Sequence, residues 1–507
     1  MLSLIKTYTL IGLSGYKIDT EIDISTGKPS ATIVGLPDNA VKESIERVQS
    51  AIKNSGLYFP VKKLTINLAP ADIKKEGVLF DLAISLGILV ASGQLKYDKV
   101  KDFIVIGELS LNGGIRQVVG LLPLLISAYN DGYTRFIIPK ANENEASFLS
   151  GIDVYAVESL KEVVDFFNGE KELAKVIKKD WKIDKNSFND DFSRVKGQYY
   201  AKRAMEIAVA GGHNILMYGP PGSGKTMLAK CVPSILPDLT FEEALETTKI
   251  HSVAGVLDQS KGIITARPFR APHHTASVVS MTGGGKNVKP GEISLAHNGV
   301  LFLDEFPEYP RALLETMRQP LEDGKIVVSR AAATIEYPAS FMLIASMNPC
   351  PCGNYGSKDL KCTCTPSQIH KYLHKLSGPL LDRIDIKIDV DRVKFFELRS
   401  ESNEETSEEI KKRVEIAREI QRKRFAGTST FANAKMNAKQ IKEFCKIDKN
   451  SEELLEDAFK KFSMSARGYT RILKVARTIA DLDGKENINS DHIAEAISYR
   501  TIDKVEL

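Results

Sequence analysis

The chain has 507 residues, of which 43% are hydrophobic and 26% are charged. This composition is that of a soluble globular protein, and the length exceeds what one hydrophobic core usually holds, so we expect two or three domains. The formal net charge of +4 is too small over this length to indicate a polyanionic partner, so a nucleic-acid surface would have to come from local clusters.

The N-terminal residues predict a cytoplasmic protein without a membrane partner. Their short apolar runs are interrupted by Lys and Gly, unlike the apolar segment and small-residue cleavage site of an export leader. The longest apolar stretch, residues 82–92, is about half the length of a membrane span.

An α/β or α+β domain is predicted for residues 1–168, because strand-like runs alternate there with helical periods. The strand-like runs are residues 32–34, 64–68, 103–106 and 136–138, and the helical periods are residues 37–55, 79–92, 120–131 and 158–168.

Two passages of this region resemble the protease domain of Lon: residues 75–79, Lys-Glu-Gly-Val-Leu, and the stretch 107–139. In Lon, the first passage carries a nucleophilic serine and the second a lysine base. The matching positions here hold Leu79 and, approximately, Leu124, and a hydrocarbon side chain can neither attack a carbonyl nor accept a proton. The resemblance implies an α+β domain of the Lon-protease-like (ribosomal S5 domain 2-like) fold without the catalytic dyad.

Residues 169–193 are charged, lack apolar periodicity and contain the only tryptophan, which predicts a linker. After it, Val-Lys-Gly-Gln at residues 195–198 and an amphipathic helix at residues 199–211 resemble the segment that packs over adenine in AAA+ ATPases. The next domain is therefore expected to span residues 194–391.

A phosphate-binding loop is predicted between the apolar run at residues 215–218 and a helix-like segment at residues 227–230. In this pattern, glycines let backbone amides face the phosphates, a lysine reaches the β- and γ-phosphates, and a hydroxyl holds Mg²⁺. An ordinary glycine turn is the alternative. The residues predicted to bind ATP, with Lys225 also catalytic and Thr226 a Mg²⁺ ligand, are Gly219, Pro220, Pro221, Gly222, Ser223, Gly224, Lys225 and Thr226.

A second part of the site is predicted where the apolar strand 300–303 ends in two carboxylates, Asp304 and Glu305. Ligands bind at the carboxyl ends of buried parallel strands. Asp304 is expected to orient the Mg²⁺ shell and Glu305 to polarise the attacking water. The alternative is a core strand followed by two solvated acids.

Two further catalytic residues are predicted near the end of this domain. Asn348 follows the apolar strand 341–346, and its amide could hydrogen-bond water or the γ-phosphate as a first sensor. Arg383 lies between apolar anchors, at a position that in AAA+ rings points at a neighbouring subunit's γ-phosphate and stabilises transition-state charge. A structural ion pair of Arg383 with Asp382 or Asp385 is the alternative.

Residues 392–507 are predicted to form a helical lid. Arg467 and Arg471 open its strongest helix; one of them is expected to act as a second sensor on the bound nucleotide, with Arg467 favoured, and ordinary surface charges are the alternative. The charged first helix is predicted to be solvated. The predicted helices cover residues 407–424, 437–445, 451–463, 467–483 and 490–500.

Two Cys-x-Cys pairs lie nine residues apart within a Gly/Asn/Tyr turn. Four thiolates can close a tetrahedral zinc site, but the spacing is tighter than the usual Cys-x-x-Cys. Zinc and free thiols both remain open, as does substitution of one ligand by His370 or His374. The adjacent His273 and His274 would face opposite ways in a strand and are not predicted to bind metal. The candidate zinc ligands are Cys350, Cys352, Cys362 and Cys364.

Four sequence motifs resemble those of a known protein family. They are Arg-Pro-Phe-Arg-Ala-Pro-His-His-Thr at 267–275, Gly-Glu-Ile-Ser-Leu-Ala-His-Asn-Gly-Val at 291–300, Met-Asn-Pro-Cys-Pro-Cys-Gly at 347–353, and Leu-Lys-Val-Ala-Arg-Thr-Ile-Ala-Asp-Leu at 473–482. They resemble the YifB/ComM proteins, which are magnesium-chelatase-like AAA+ ATPases with an N-terminal Lon-protease-like domain. The resemblance implies a homohexameric ring motor that uses ATP and Mg²⁺. The ComM branch is associated with DNA branch migration in natural transformation.

Rings of this type also resemble the replicative MCM helicases, which push loops into a central pore. Here a glycine-rich tip at residues 282–291 and a predicted β-hairpin at residues 323–337 carry basic residues. Six copies would line a pore with positive charge that tracks a phosphate backbone without reading sequence. Flexible surface loops are the alternative. The predicted DNA-binding residues are Lys286, Lys289, Lys325 and Arg330.

The leading hypothesis from sequence is an ATP-driven ring motor acting on DNA, as a branch-migration or helicase-like translocase. A second is a magnesium-chelatase-like ATPase that drives metal insertion into a tetrapyrrole or remodels a protein. A third is a Lon-type protease, against which the leucines at positions 79 and 124 argue.

Overall fold

The computed structural model describes residues 2–75, 77–183, 190–285, 288–330, 333–356, 360–393, 404–461 and 464–500. The chain divides into two compact units. The first unit comprises Met1–Lys182 and Phe241–Thr265, and the second comprises Ile183–Thr240 and Ala266–Leu507.

The N-terminal part of the chain mixes strands and helices. Its strands are β1 (Leu2–Ile11), β2 (Ser14–Ser25), β3 (Ser30–Val34), β4 (Lys63–Ala69), β5 (Ile104–Val105), β6 (Glu108–Leu109), β7 (Ile115–Arg116), β8 (Arg135–Pro139) and β9 (Asp153–Val157), and its helices are α1 (Asn39–Asn54), α2 (Asp81–Ala91), α3 (Tyr97–Val100), α4 (Leu121–Asn130), α5 (Glu143–Ala146) and α6 (Leu160–Asn168).

Seven of these strands form one mixed sheet in the order β3-β4-β2-β1-β5-β8-β9. The four predicted strands and four predicted helices of this region are confirmed. Strands β1 and β2, which were not predicted, pair antiparallel, with Leu2 opposite Asp23 and Ile11 opposite Ser14. Leu79 and Leu124 pack in one hydrophobic cluster of this unit, so hydrocarbon side chains meet where the Lon resemblance would require a serine and a lysine.

The segment 241–265 joins this first unit although it lies far away in sequence. Ser252 donates a hydrogen bond to the buried carboxylate of Glu145, which also accepts from the amide of Leu122 at 2.9 Å. Asn144 donates to the carbonyl of Gln259 at 3.0 Å. Burial raises the pKa of Glu145. Polar contacts across more than 100 sequence positions therefore hold this segment on the N-terminal fold.

The first part of the predicted linker also lies against the first unit. The amide of Val176 donates to the carbonyl of Val154 at 2.8 Å, and the ring of Trp181 packs edge-on against Phe241 at a centroid distance of 6.0 Å. Despite its charged sequence, the segment 175–181 therefore packs on the first unit.

The rest of the chain alternates short strands with helices and then becomes helical. Its strands are β10 (Ile215–Tyr218), β11 (Phe269–Arg270), β12 (Gly283–Gly284), β13 (Lys289–Pro290), β14 (Val300–Leu303), β15 (Lys325–Arg330), β16 (Ala333–Pro338), β17 (Met342–Met347) and β18 (Ile386–Asp389), and its helices are α7 (Tyr199–Gly211), α8 (Lys225–Cys231), α9 (Phe241–Ala254), α10 (Val278–Thr282), α11 (Glu292–Leu295), α12 (Arg311–Thr316), α13 (Arg318–Asp323), α14 (Pro366–Leu373), α15 (Gly378–Leu381), α16 (Ser407–Arg424), α17 (Ala438–Phe444), α18 (Lys449–Lys461), α19 (Ala466–Leu482) and α20 (Ser490–Ser498).

The second unit is built on a five-stranded parallel sheet in the order β11-β14-β17-β10-β18. Strand β10 lies between β17 and β18, with Ile215 opposite both Ile344 and Ile386. The three central strands β14, β17 and β10 are buried along their full length, as expected of strands covered on both faces. All strands of this sheet end at the same edge, which brings the residues that follow β10, β14 and β17 together.

The C-terminal helices follow the predicted periods, and the five predicted helices are confirmed. Helix α16 begins at a capping box, in which Thr406 accepts from the amide of Glu409 and the Glu409 side chain accepts from that of Thr406. These helices belong to the same compact unit as the parallel sheet. A buried ion pair at 2.5 Å joins Lys202 of α7, in the sheet-containing part, to Glu404, just before α16. Among the described residues, no helix is long and apolar enough to cross a lipid bilayer.

Candidate active site

The predicted phosphate-binding loop leaves β10 at its carboxyl end and leads into α8. Gly222 and Gly224 have φ angles of 77° and 92°, a left-handed conformation that favours glycine. This conformation turns successive backbone amides to one side of the loop, which is the arrangement that cradles phosphate oxygens.

Lys225 lies folded against this loop. Its Nζ donates to the carbonyls of Gly219 at 2.7 Å and Pro220 at 2.8 Å, and to Oδ1 of Asn348 at 3.2 Å. The predicted first sensor and the predicted phosphate-binding lysine are therefore in direct contact. Burial lowers the pKa of Lys225 to about 8, against an opposing effect of the nearby Asp304 charge.

The two carboxylates predicted at the end of β14 have different environments. Asp304 accepts hydrogen bonds from the hydroxyl of Thr226 at 2.9 Å and from the hydroxyl of Ser346 on β17. Glu305 is half-exposed, and its φ of 52° is uncommon for a residue other than glycine, asparagine or aspartate. Asp304 is thus fixed beside Thr226, whereas the Glu305 carboxylate reaches into solvent at the mouth of the site.

His274 contacts Glu305, a contact that was not predicted from sequence. Its Nδ1 lies 3.3 Å from Oε2 of Glu305, and its ring packs edge-on against Tyr309. The two adjacent histidines do not diverge as expected for a strand, because β11 ends at Arg270 and their rings stack with centroids 4.1 Å apart. One feature of the sequence could have indicated this contact. His274 follows β11, which pairs in parallel with β14, so the residues after both strands lie at the same edge of the sheet.

The phosphate-binding loop and the residues that follow β14 and β17 line one open cavity of about 390 Å³. Hydroxyl and carboxylate oxygens from Thr226 and Asp304 are the ligands that Mg²⁺ prefers, and the loop amides with Lys225 suit a polyphosphate. The donor set therefore fits ATP with Mg²⁺. The lining residues are Pro221, Gly222, Ser223, Gly224, Lys225, Thr226, Met227, Asp304, Glu305, Ser346, Met347 and Asn348.

Arg383 and Arg467 are not among the described residues that line this cavity. Both contact the carboxylate of Glu322: Arg383 through Nη2, and Arg467 through Nη2 at 3.7 Å. Arg383 also donates to the carbonyl of Pro379 at 2.6 Å. The structure therefore brings the two predicted arginines together on one carboxylate, and neither is among the described residues that line the cavity.

Arg471 pairs with a different acid. Its Nε lies 3.3 Å from Asp385, whose other oxygen is 3.1 Å from Nδ1 of the buried His213. Nε2 of His213 lies 2.8 Å from the hydroxyl of Thr478 on α19. Burial alone would raise the pKa of Asp385, but the hydrogen bond and charge of His213 and the charge of Arg471 lower it overall. These buried hydrogen bonds and ion pairs connect the start of β18 to helix α19. Arg471 therefore has a structural role at this junction.

The two basic insertions form hairpins that are neighbours. Strands β12 and β13 pair antiparallel, as do β15 and β16, so the predicted second hairpin is confirmed. The hydroxyl of the buried Tyr337 donates to the carbonyl of Val288 and joins the two hairpins. Lys289 is exposed, and Lys325 forms an ion pair with Glu336 at 2.9 Å. Lys286 and the side chain of Arg330 lie outside the described residues.

The four cysteines form a compact cluster, with all Sγ atoms within 4.8 Å of one another. Hydrogen bonds from the backbone amides of Asn354 and Thr363 lower the pKa of Cys352 to about 5. His370 and His374 stack on each other at a centroid distance of 3.8 Å and are not part of the cluster. The cluster therefore consists of the four predicted thiols: Cys350, Cys352, Cys362 and Cys364.

Comparisons with known proteins match most of the chain. Residues 20–142 match the family described as "Subunit ChlI of Mg-chelatase", residues 191–398 match "Magnesium chelatase, subunit ChlI", and residues 404–500 match "Magnesium chelatase, subunit ChlI C-terminal". The Magnesium-chelatase 38 kDa subunit of Cereibacter sphaeroides is 26% identical over 177 residues, which cover 31% of this chain and 52% of that protein.

Two relatives match over nearly their full length. The Competence protein ComM of Haemophilus influenzae is 44% identical over 506 residues, covering 99% of this chain and 98% of that protein. The Uncharacterized protein YifB of Escherichia coli is 43% identical over 505 residues, with the same coverage of both chains. The chain therefore belongs to the YifB/ComM family of magnesium-chelatase-like proteins.

Proposed function

We propose that this protein is an AAA+ ATPase that assembles into a homohexameric ring and moves along or remodels DNA in the cytoplasm, as a branch-migration or helicase-like motor in recombination or natural transformation. The observation that carries the ATPase part is the convergence of Lys225, Thr226, Asp304, Glu305 and Asn348 on one cavity. The DNA part is supported by the near full-length similarity to a competence protein.

Within one subunit, each residue has a defined task. Lys225 places its charge against the β- and γ-phosphates, and Thr226 with Asp304 supplies oxygen ligands for Mg²⁺. A Mg²⁺ ion held by these two residues would supply positive charge where negative charge develops on the phosphate oxygens. Glu305 orients and polarises the attacking water, and Asn348 hydrogen-bonds the γ-phosphate or that water.

The catalytic set is completed across a subunit interface in this proposal. Arg383 is not among the described residues that line its own chain's cavity, and it pairs with Glu322, which it shares with Arg467. A guanidinium presented to a neighbouring subunit's γ-phosphate would stabilise transition-state charge there. Arg467, proposed as the second sensor, shares Glu322 with Arg383 and would act from the same surface. A ring is the arrangement that gives every subunit such a neighbour.

DNA binding is assigned to the paired hairpins. Because the two hairpins are neighbours, the proposed basic surface includes Lys289 and Lys325, repeated six times around a pore. Lys286 and Arg330 are its other members predicted from sequence. Such a surface binds phosphates without reading bases. The ion pair of Lys325 with Glu336 makes Lys289 the stronger candidate of the two described lysines. We also propose Zn²⁺ as the ion held by the four-cysteine cluster.

The test is ATP hydrolysis by the purified full-length chain with single-stranded, duplex, forked and four-way-junction DNA. We expect at least one of these DNAs to stimulate hydrolysis, and Glu305→Gln to bind ATP without hydrolysing it. Equal hydrolysis rates with and without every DNA would contradict the DNA part of the proposal.

A magnesium-chelatase-like role is the second candidate, because all three matched families are described as chelatase subunit ChlI. In that role the ATPase would drive metal insertion into a tetrapyrrole or remodel a partner protein. It would also require partner subunits. Hydrolysis that responds to a porphyrin with those subunits, and not to DNA, would favour this second role.

A further inference from the structure

The four-cysteine cluster has the dimensions of a tetrahedral metal site. The Sγ–Sγ distances are 3.3 Å for Cys350–Cys352, 3.7 Å for Cys350–Cys362 and 3.6 Å for Cys352–Cys362. Four sulfurs bonded to Zn²⁺ at about 2.3 Å lie about 3.8 Å apart at the corners of a tetrahedron. All six cysteines of the chain are free thiols in this structure, so no disulfide holds these four together.

Apolar packing contributes little to the position of this loop. Cys350 is buried, but the other three thiols are only half-buried, and the side chains of Tyr355 and Leu360 are 46% and 43% exposed. The amide of Tyr355 donates to Sγ of Cys350 at 3.4 Å, as amides do around metal-bound thiolates. A loop with so small a core depends on a cross-link or a metal for its position.

The end of β17, the residue that follows it and the cysteine loop together contact the phosphate-binding loop at three points. The amide of Gly219 donates to the carbonyl of Met347 at 3.2 Å, and Lys225 donates to Asn348 at 3.2 Å. Gly353 packs directly on Pro221, because a Cβ added to Gly353 would lie 2.9 Å from Cγ of Pro221. The first cysteine pair therefore lies between the first sensor and a contact with the loop that binds phosphate.

From these contacts we infer that zinc bound to the four thiolates holds the phosphate-binding loop and Asn348 in their nucleotide-binding positions, so that zinc occupancy controls nucleotide affinity. The inference rests on the proposed ATP site. Release of zinc would leave the four thiols without a common partner and remove the support that Gly353 gives to Pro221. Nucleotide affinity, rather than hydrolysis alone, is the property that should change.

The first experiment measures metal and nucleotide binding on the full-length chain. We expect one zinc per purified chain by elemental analysis. After zinc removal with a chelator, dialysis and restoration of Mg²⁺, a fluorescent ATP analogue should bind about tenfold more weakly, and added Zn²⁺ should restore its binding. Cys364→Ser should lose zinc and affinity together, whereas Cys445→Ser, at a buried thiol of the helical region, should lose neither.

A matched glycine pair separates zinc binding from its coupling to nucleotide. Gly353→Ala inserts a methyl group against Pro221, whereas Gly356→Ala places one in open space, and the two positions have similar φ angles of 80° and 76°. Both variants should keep one zinc, but only Gly353→Ala should lose affinity, by about tenfold.

The outcomes are distinct. Purified wild-type chain without zinc, or zinc-free chain with unchanged affinity, would overturn the inference, and so would equal affinities of the two glycine variants. Zinc-loaded wild-type chain that does not bind the ATP analogue at all would refute the proposed ATPase instead. The zinc content of that same sample distinguishes the two failures.

Discussion

At the scale of single residues, the chemistry of the site depends on how Lys225 is buried. Its Nζ is held by two loop carbonyls and by Asn348, and the surrounding protein removes it from water. An ammonium in such a place is less stable than in water, which lowers its pKa. A bound triphosphate would have the opposite effect, because it adds negative charge beside the ammonium.

This difference predicts how nucleotide affinity depends on pH. The pKa of Lys225 in the free protein is about 8, so the ammonium is charged below that pH and is lost as the pH rises above it. Because bound ATP raises the pKa, binding above pH 8 takes up a proton, and affinity should fall by up to about tenfold per pH unit. Titration calorimetry at pH 7, 8 and 9 in two buffers of different ionisation enthalpy measures both effects.

Lys225→Arg is the matched control for this prediction, since a guanidinium stays charged throughout this range. The variant should bind more weakly, because Arg does not fit the same carbonyls, but its affinity should be independent of pH from 7 to 9. A wild-type affinity that is equally flat would contradict the prediction.

Sequence predicted Asp304, Glu305 and Asn348, because the edge of a parallel sheet gathers the residues that follow its strands, and it predicted Thr226 from the loop motif. All four residues line one cavity. It could not predict partners that depend on side-chain direction. His274 reaches Glu305 from a loop after β11, and Glu322 contacts both Arg383 and Arg467 from a helix with no motif of its own. Such contacts are decided by packing that no local pattern encodes.

At the scale of elements, predictability followed the strength of the local pattern. The amphipathic helices α16 to α20 were predicted within a few residues, because a period near 3.6 and capping residues mark them. Strands β1 and β2 were missed, although Ile18, Thr20 and Ile22 alternate with exposed or half-buried residues and point into the core. Lysine and glycine residues interrupt this alternation of buried and exposed positions, so it is weak in the sequence alone. The pairing of β1 with β2 shows which positions face the core.

The junction between β18 and α19 provides a stability prediction. Asp385→Asn removes a charge that pairs with Arg471 and His213, and should leave the largely buried guanidinium of Arg471 without its counter-ion. Loss of one partner of a buried pair costs about 3 kcal/mol in the free energy of unfolding. Urea unfolding followed by circular dichroism at pH 7 measures this, with the fluorescence of Trp181, which lies in the first unit, as an internal reference.

The same pair gives the pH dependence of that difference. The pKa of Asp385 is lowered in the folded chain, so its stabilising effect is present above the unfolded value, about 4, and is lost as the pH falls through the folded pKa. Wild type and Asp385→Asn should therefore converge in acid. Glu419→Gln, at an exposed pair with Arg422, should change stability by less than about 0.5 kcal/mol at any pH. Equal losses in the two variants would contradict the structural role of Asp385.

At the scale of the whole molecule, the chain path itself was not predictable. The segment 241–265 leaves the second unit, packs within the first and returns, and its ties, such as Ser252 to Glu145, join residues that are more than 100 positions apart. A contiguous boundary drawn from composition and motifs cannot represent such an excursion. The helical region likewise shares one compact unit with the parallel sheet.

The proposed ring predicts that two inactive variants regain activity when they are mixed. Lys225→Ala destroys a subunit's own site but leaves its Arg383 available to a neighbour, whereas Arg383→Ala does the reverse. In a randomly mixed ring, a complete site forms where an Arg383→Ala subunit receives Arg383 from a Lys225→Ala neighbour, which is about one interface in four. ATP hydrolysis after subunit exchange should therefore approach about a quarter of the wild-type rate per chain, although each variant alone is nearly inactive.

Mixing Lys225→Ala with Glu305→Gln is the control, since both defects then lie in a subunit's own site and hydrolysis should stay at the level of the separate variants. If the Arg383→Ala mixture behaves like this control, Arg383 does not act on a neighbouring subunit's site. If Arg383→Ala alone hydrolyses ATP as fast as wild type, the contact of Arg383 with Glu322 is structural only, and the catalytic site is complete without this arginine.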